Sequence, residues 1–240
     1  MSAHTRIVEI RTKILKQNDV AARALRERFE SAGVFTVSFV SSPGSGKTML
    51  LEKTLVALRE QYHVAALVGD LATDNDARRL ARSEVPVRQI TTGTVCHLEA
   101  EMVRTALDDW SLEELDFLFI ENVGNLVCPA SYDLGEAMRV VVFSVTEGED
   151  KPLKYPTIFN TADVAVITKA DLAAAVDFDA AEALKNIEAV RPGMQVLTVS
   201  AKRGEGMIEW LRLLSDRRRE ARPAPDKLAA CPTEAELRSP

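Results

Sequence analysis

VFTVSFVSSPGSGKT (34–48) decides the fold. VFTVSFV (34–40) is a β-branched and aromatic run that ends in a Ser/Pro/Gly cluster, as a strand does on entering a loop. TMLLEKTLVALRE (48–60) then shows apolar residues at helical spacing. A glycine-rich turn between a strand and a helix is the setting in which SSPGSGKT (41–48) works as a phosphate-binding loop. Gly44 and Gly46 let the backbone curl so that consecutive N–H groups face a β-phosphate, and the helix behind adds its positive end. The cradle runs from Pro43 through Gly44, Ser45 and Gly46 to Met49. Lys47 supplies a cation to the β- and γ-phosphates, and the Thr48 hydroxyl is the expected Mg²⁺ ligand. The general pattern GxxxxGK[ST] asks for glycine where this chain has Ser41.

Further strand-like runs follow downstream. HVAALVGD (63–70) and DFLFIE (116–121) each end in a carboxylate, PVRQI is a shorter candidate, and DFLFIE, VVVFSV (140–145), VAVIT (164–168) and VLTVS (196–200) are bare apolar runs suited to burial on both faces. Helical patterns alternate with them: DNDARRLARS, VCHLEAEMVRTALDD, DAAEALKNIEAV and GMIEWLRLLSDRRRE. The expectation is an α/β fold of the P-loop NTPase type, a doubly wound, mostly parallel sheet with helices on both faces. Residues 1–33 read as an N-terminal helical segment, one or two amphipathic helices packed on a P-loop domain at 34–220. The Pro- and Ala-rich stretch 221–240 reads as a flexible tail carrying an incidental Cys231.

Composition excludes several classes. A formal charge of -6 offers no nucleic-acid footprint. No run of about 18 apolar residues suggests a membrane span, and no basic-then-apolar leader suggests secretion. Three cysteines without a CxxC pair argue against a disulfide scaffold and fit a reducing cytoplasm.

A Mg²⁺-bound triphosphate needs acidic help at a strand end. Asp70 and Glu121 both qualify, and the sequence leaves open which holds the metal and which orients water. Base recognition is suggested by TKAD (168–171): Asp171 suits two donors on a guanine edge, and the Lys169 stem suits the ring face. Ser200, Ala201 and Lys202, after VLTV, would add contacts near the base carbonyl.

TVCHLEA (94–100) sets Cys96 beside His97 in a chain with only three of each residue. A thiolate and an imidazole suit a borderline divalent metal. Equally, a buried thiol can sit beside an ordinary histidine. Cys128 lies seven residues beyond Glu121, and strand-to-helix junctions in a doubly wound sheet gather at one edge, so the three residues can converge. His4 and His63 belong to no motif.

The order GSGKT, ENVG, TKAD, SAK resembles the G-protein signature, with threonine for asparagine in TKAD and glutamate for aspartate in ENVG. Within that class the chain closely resembles the hydrogenase nickel-incorporation GTPase family, HypB. The matching stretches are VSFVSSPGSGKT, GDLATDNDARR, TTGTVCHLEAEM, ENVGNLVCPASYDLGE and VTEGEDKPLKYP, spread over roughly residues 5–215.

The resemblance implies a GTP-hydrolysing metallochaperone whose Cys96, His97 and Cys128 hold Ni²⁺ or Zn²⁺ near a dimer interface. It further implies GTP/GDP and Mg²⁺ as cofactors and a nucleotide-promoted homodimer. The implied partners are a nickel metallochaperone and the hydrogenase large-subunit precursor. Lys151 and Lys154 in GEDKPLKYP are candidates for reaching a phosphate across that dimer. MSAHTRIVEIRTKILK shows neither the cysteine cluster nor the histidine-rich tract of many family members, so nickel storage is not expected of it. The rival readings are a small-molecule kinase on the same loop, a urease-accessory or cobalamin-enzyme GTPase, and a metal-binding module with only regulatory nucleotide.

Overall fold

The computed structural model describes residues 3–71 and 75–221, with side chains from residue 13 onward. The expected tail and Cys231 fall outside the described residues except for Ala221, and so do 72–74 of the GDLATDNDARR stretch. The N-terminal amphipathic pattern forms one helix, α1 (Ala3–Ala32). Seven strands follow: β1 (Phe35–Ser41), β2 (Val64–Asp70), β3 (Val87–Thr91), β4 (Phe117–Glu121), β5 (Met138–Ser144), β6 (Val164–Thr168) and β7 (Gln195–Thr198). Between and after them come α2 (Lys47–Leu58), α3 (Asn75–Leu80), α4 (Ala100–Ala106), α5 (Lys151–Lys154), α6 (Pro156–Thr161), α7 (Ala180–Val190) and α8 (Met207–Ala221).

The strands make a single sheet in the order β3-β2-β4-β1-β5-β6-β7, and every pairing is parallel. The chain winds outward from β1 to β2 and β3, returns to insert β4, and then winds the other way through β5 to β7. All strand C-termini therefore face one edge, where ligands bind doubly wound sheets.

Strand side chains alternate between two apolar layers. Val37 and Phe39 of β1 and Val140 and Val142 of β5 pack with Leu50, Leu51 and Leu55 of α2 and Trp210 and Leu214 of α8. On the opposite face, Ala65, Leu67, Leu118 and Ile120 meet Ala22, Leu25 and Phe29 of α1 and Val103 of α4. Val141, Phe143, Ala165 and Ile167 meet Ile158 and Phe159 of α6 and Ala183 and Ile187 of α7. Helices thus cover both faces, as the sequence pattern predicts.

One helix is shorter than its periodicity predicts. VCHLEAEMVRTALDD yields only α4, because the segment around Cys96 and His97 is held in an irregular loop. Acceptors from elsewhere take its N–H groups: Asn122 Oδ1 accepts from Leu98 N at 2.9 Å, and Asn18 Oδ1 of α1 accepts from Ala100 N at 2.9 Å. A side chain from another helix thereby caps α4.

Helix α1 crosses the turn before β5 at Gly135, which has φ +78. A Cβ there would lie 2.7 Å from Ala22 O and 2.9 Å from Arg26 N. Arg26 also makes a two-pronged ion pair with Asp133, both bonds at 2.8 Å. Gly135→Ala should therefore lower the urea midpoint, with about 1–3 kcal/mol from overpacking and about 1–2 kcal/mol from the left-handed backbone. An unchanged midpoint would show that α1 can ride away from this turn at no cost.

Candidate nucleotide pocket and adjoining thiol–imidazole site

The loop that follows β1 is built as the glycines predict. Gly44 and Gly46 have φ of 75 and 91, so the chain curls tightly before α2 begins at Lys47. Ser41, where the general pattern has glycine, is buried in β1 and donates its hydroxyl to Ser42 O at 2.9 Å. Three other elements brace the loop. Thr168 donates to Ser45 O, Lys169 Nζ donates to Gly44 O at 2.7 Å, and Ser42 Oγ donates to Glu147 Oε1 at 2.5 Å. Gly124 approaches so closely that a Cβ on it would sit 3.2 Å from Pro43.

These braces frame a cavity of about 640 Å³, within the range of small-ligand pockets. Its wall includes every residue from Ser41 to Met49, together with Asp70, Glu121, Lys169, Asp171, Ala201 and Lys202. Ser200 stands behind the wall and donates to Asp171 Oδ1 at 2.6 Å, which holds that carboxyl below its ordinary range. Thr168, in the position the G-protein signature gives to asparagine, bonds the phosphate loop, so it joins the base side of the cavity to the phosphate side.

The two strand-end carboxylates occupy different surroundings. Glu121 is 1% exposed; its Oε1 accepts from Thr48 Oγ1 at 2.6 Å and lies 3.0 Å from Lys47 Nζ. Its Oε2 is buried without a hydrogen-bond partner. Asp70 accepts from Leu71 N at 2.5 Å and faces the cavity from β2. Thr48 hydroxyl, the orphaned Glu121 oxygen and Asp70 form an all-oxygen donor set at the phosphate end, which fits the preference of Mg²⁺ for hard ligands.

Lys151 and Lys154 do not line this cavity. Lys151 pairs with Glu147 at 2.9 Å and lies over the Tyr155 ring at 4.9 Å, while Lys154 pairs with Asp150 at 2.6 Å on an exposed face.

Cys96, His97 and Cys128 converge. Their ligand atoms lie within 4.8 Å of one another, and Cys96 Sγ donates to Cys128 Sγ at 2.9 Å. The His97 ring is buried against Tyr132, centroid to centroid 3.9 Å, and neither ring nitrogen has a hydrogen-bond partner. Glu99 Oε1 is 3.5 Å from Nε2 but poorly aligned. Burial pushes the imidazole below its ordinary value, so the neutral, metal-binding form prevails at pH 7. A tetrahedral centre with Zn–S bonds of about 2.3 Å would spread the two sulfurs to roughly 3.8 Å. Two thiols and an orphaned buried imidazole fit a borderline metal better than a packed core, which would leave no imidazole nitrogen unsatisfied. His63 lies before β2, its side chain 85% exposed, far from this role.

Two polar residues escaped the motif reading. Asn122, in ENVGN, is buried and links both sites: its carbonyl accepts from Lys47 Nζ, and its Oδ1 accepts from Leu98 N and Val123 N, each at 2.9 Å. The quoted motif already contained it, but an asparagine after a strand-end carboxylate carries no signal of its own. Asn18 gave none either, being one polar residue inside an amphipathic helix. It donates to Asp133 O at 2.8 Å and caps α4, so it ties together the two loops that carry the thiols.

The strand–loop–helix cavity, parallel sheet and adjoining thiol–imidazole cluster define a P-loop NTPase with a candidate metal site. Residues 35–198 match the family model described as the CobW/HypB/UreG nucleotide-binding domain. A curated relative, hydrogenase maturation factor HypB of Rhizobium leguminosarum bv. viciae, is 50% identical over 216 residues, covering 89% of this chain and 72% of that one. The crystal structure of HypB from Helicobacter pylori in complex with nickel superposes with a TM-score of 0.81 at 41% identity, covering 87% of this chain and 98% of that one. Hydrogenase maturation factor HypB from Archaeoglobus fulgidus gives 0.79 at 37% identity, covering 85% and 99%. The chain belongs to the HypB family.

Proposed function

We propose that this chain is a GTP-hydrolysing metallochaperone that carries nickel during [NiFe]-hydrogenase maturation as a nucleotide-promoted homodimer. Nickel is its cargo, held by Cys96, His97 and Cys128, a set that would also take zinc. The single observation that carries the reading is the loop after β4. Glu121 faces the phosphate loop at its start, and Cys128 joins the thiol–imidazole cluster at its end.

In this reading the loop from Pro43 to Met49 holds the phosphates, with Lys47 as the cation. Asp171, fixed by Ser200, accepts from the guanine edge, and the Lys169 stem lies along the base. Bound Mg²⁺, held by Thr48 with Glu121 and Asp70, would neutralise charge on the phosphate oxygens. The same pair of carboxylates, Asp70 and Glu121, orients the attacking water. Ordering of the 121–128 loop by the γ-phosphate then alters the distance between Cys128 and Cys96, so nucleotide state and metal affinity are linked reciprocally. The nickel acceptors in this scheme are a partner metallochaperone and the hydrogenase large-subunit precursor, and the compartment is the cytoplasm.

The test is calorimetric. Ni²⁺ and Zn²⁺ affinities are measured with GDP and with a non-hydrolysable GTP analogue, with size-exclusion mass recorded for each state. The expected result is an affinity that shifts with nucleotide, disappears in Cys96→Ala, and accompanies a larger mass with the analogue. Metal binding indifferent to nucleotide would reduce the cluster to a static site and remove the reading.

A further inference from the structure

We propose that Asn122 is the positioning residue through which the phosphate loop sets the geometry of the thiol–imidazole site. The inference rests on the coupling proposed above and assigns it to one side chain.

Asn122 is 1% exposed and makes four hydrogen bonds, each to a different part of the molecule's working edge. Its N–H donates to Phe39 O at 3.0 Å, which registers it against β1. Its carbonyl accepts from Lys47 Nζ. Its side-chain Oδ1 accepts from Val123 N and from Leu98 N, the residue directly after His97, both at 2.9 Å. The backbone of residue 122 thus answers to the phosphate-loop lysine, and its side chain holds the backbone of the metal loop.

Leu98 leaves little slack. Its side chain is fully buried, and a Cβ on Gly69 of β2 would lie 2.7–2.9 Å from three of its carbon atoms. On the other side Gly124 is packed on Pro43, so the 122–124 segment touches the phosphate loop twice. A tightly packed region transmits a small displacement rather than absorbing it.

Lys47 has three ammonium protons, and two face Asn122 O and Glu121 Oε1. A β- or γ-phosphate in the loop competes for that ammonium and draws it from the carbonyl. Residue 122 is then free to shift, and Leu98 N with its neighbour His97 shifts with Oδ1. No ligand touches Asn122 in this scheme; it acts through Leu98.

The substitution Asn122→Ala separates the two halves of the link. It deletes Oδ1 and keeps the carbonyl that meets Lys47. Asn122→Asp keeps the acceptor. The experiment measures Ni²⁺ dissociation constants for full-length protein, nucleotide-free and loaded with Mg²⁺ and a non-hydrolysable GTP analogue, and takes their ratio. The wild type is expected to give a ratio of at least about 5, the lower end of ordinary allosteric couplings. In Asn122→Ala the ratio should collapse to about 1, and in Asn122→Asp it should persist.

Amide hydrogen exchange of the 96–100 segment in the wild type supplies a readout independent of whether the alanine variant folds. Its protection is expected to change between the two nucleotide states. A wild-type ratio above 1 that survives in Asn122→Ala overturns this inference and leaves the coupling standing, as does exchange at 96–100 that ignores nucleotide. A wild-type ratio of 1 overturns the coupling itself and this inference with it.

Discussion

Lys47→Met should nearly abolish GTP turnover and, in the absence of nucleotide, should also cost the protein much of its stability. The first effect follows from removing the only cation that the phosphate loop itself supplies, and losses on the order of 10²–10³-fold are typical when one preorganised charge-stabilising group is deleted. The second follows from Glu121. That carboxylate is 1% exposed, and Lys47 stands 3.0 Å from Oε1. Deleting one partner of a buried ion pair strands the other, at a cost of about 3–5 kcal/mol.

The double variant Lys47→Met with Glu121→Gln separates the two effects. It should recover most of the lost stability, because the stranded charge is gone, yet recover no turnover. Urea denaturation and phosphate release measured on the same preparations decide the matter. A single variant as stable as the wild type would show that Glu121 finds another partner or reaches solvent once Lys47 is gone.

The second large effect concerns Cys128→Ser. Affinity for Ni²⁺ and Zn²⁺ should fall by roughly 100-fold or more, since even loss of an outer-shell partner costs about 10–100-fold. A hydroxyl is a poor substitute for a thiolate toward these metals. His97→Ala should match it, because the buried imidazole is the site's only nitrogen donor among the three residues. Co²⁺ absorption gives an independent reading: the sulfur-to-metal charge-transfer band should halve in Cys128→Ser and keep its intensity per bound ion in His97→Ala. Unchanged affinity in Cys128→Ser would move the metal away from this cluster altogether.

Most of the fold was legible because each strand is a short apolar run with both faces covered, and β6 (Val164–Thr168) matched its run to the residue. The helices were legible where their own periodicity decides the matter. They were not legible where a distant side chain decides, as at α4, whose start is set by Asn18 and Asn122 rather than by anything in VCHLEAEM. α5 and α6 were also missed; each is a short helix with proline in its first turn, too brief to show a period.

The candidate site divides in the same way. Phosphate-loop geometry is local, so SSPGSGKT predicted it. The approach of Cys96, in the loop after β3, to Cys128, in the loop after β4, spans 32 positions and depends on β3, β2 and β4 standing in that order in the sheet, which spacing alone does not reveal. Ser200 holding Asp171 follows from β7 lying beside β6, and Thr168 bonding the phosphate loop follows from β6 standing one strand beyond β5, the neighbour of β1.

The central place of β1 bears on how the chain is made. The strand that carries the phosphate loop emerges before either of its two sheet neighbours, β4 (Phe117–Glu121) and β5 (Met138–Ser144). In a nascent chain β1 therefore has a sheet on one side only once residue 121 has cleared the ribosome, and on both sides only once residue 144 has. Before β4 emerges, β1 is an apolar strand with no partner, the kind of segment that aggregates and that chaperones hold. Pairings between strands so distant in sequence make folding slow as well as late. For this protein, competence to bind nucleotide is a property of the assembled sheet, gained only after strands far downstream of the phosphate loop have emerged.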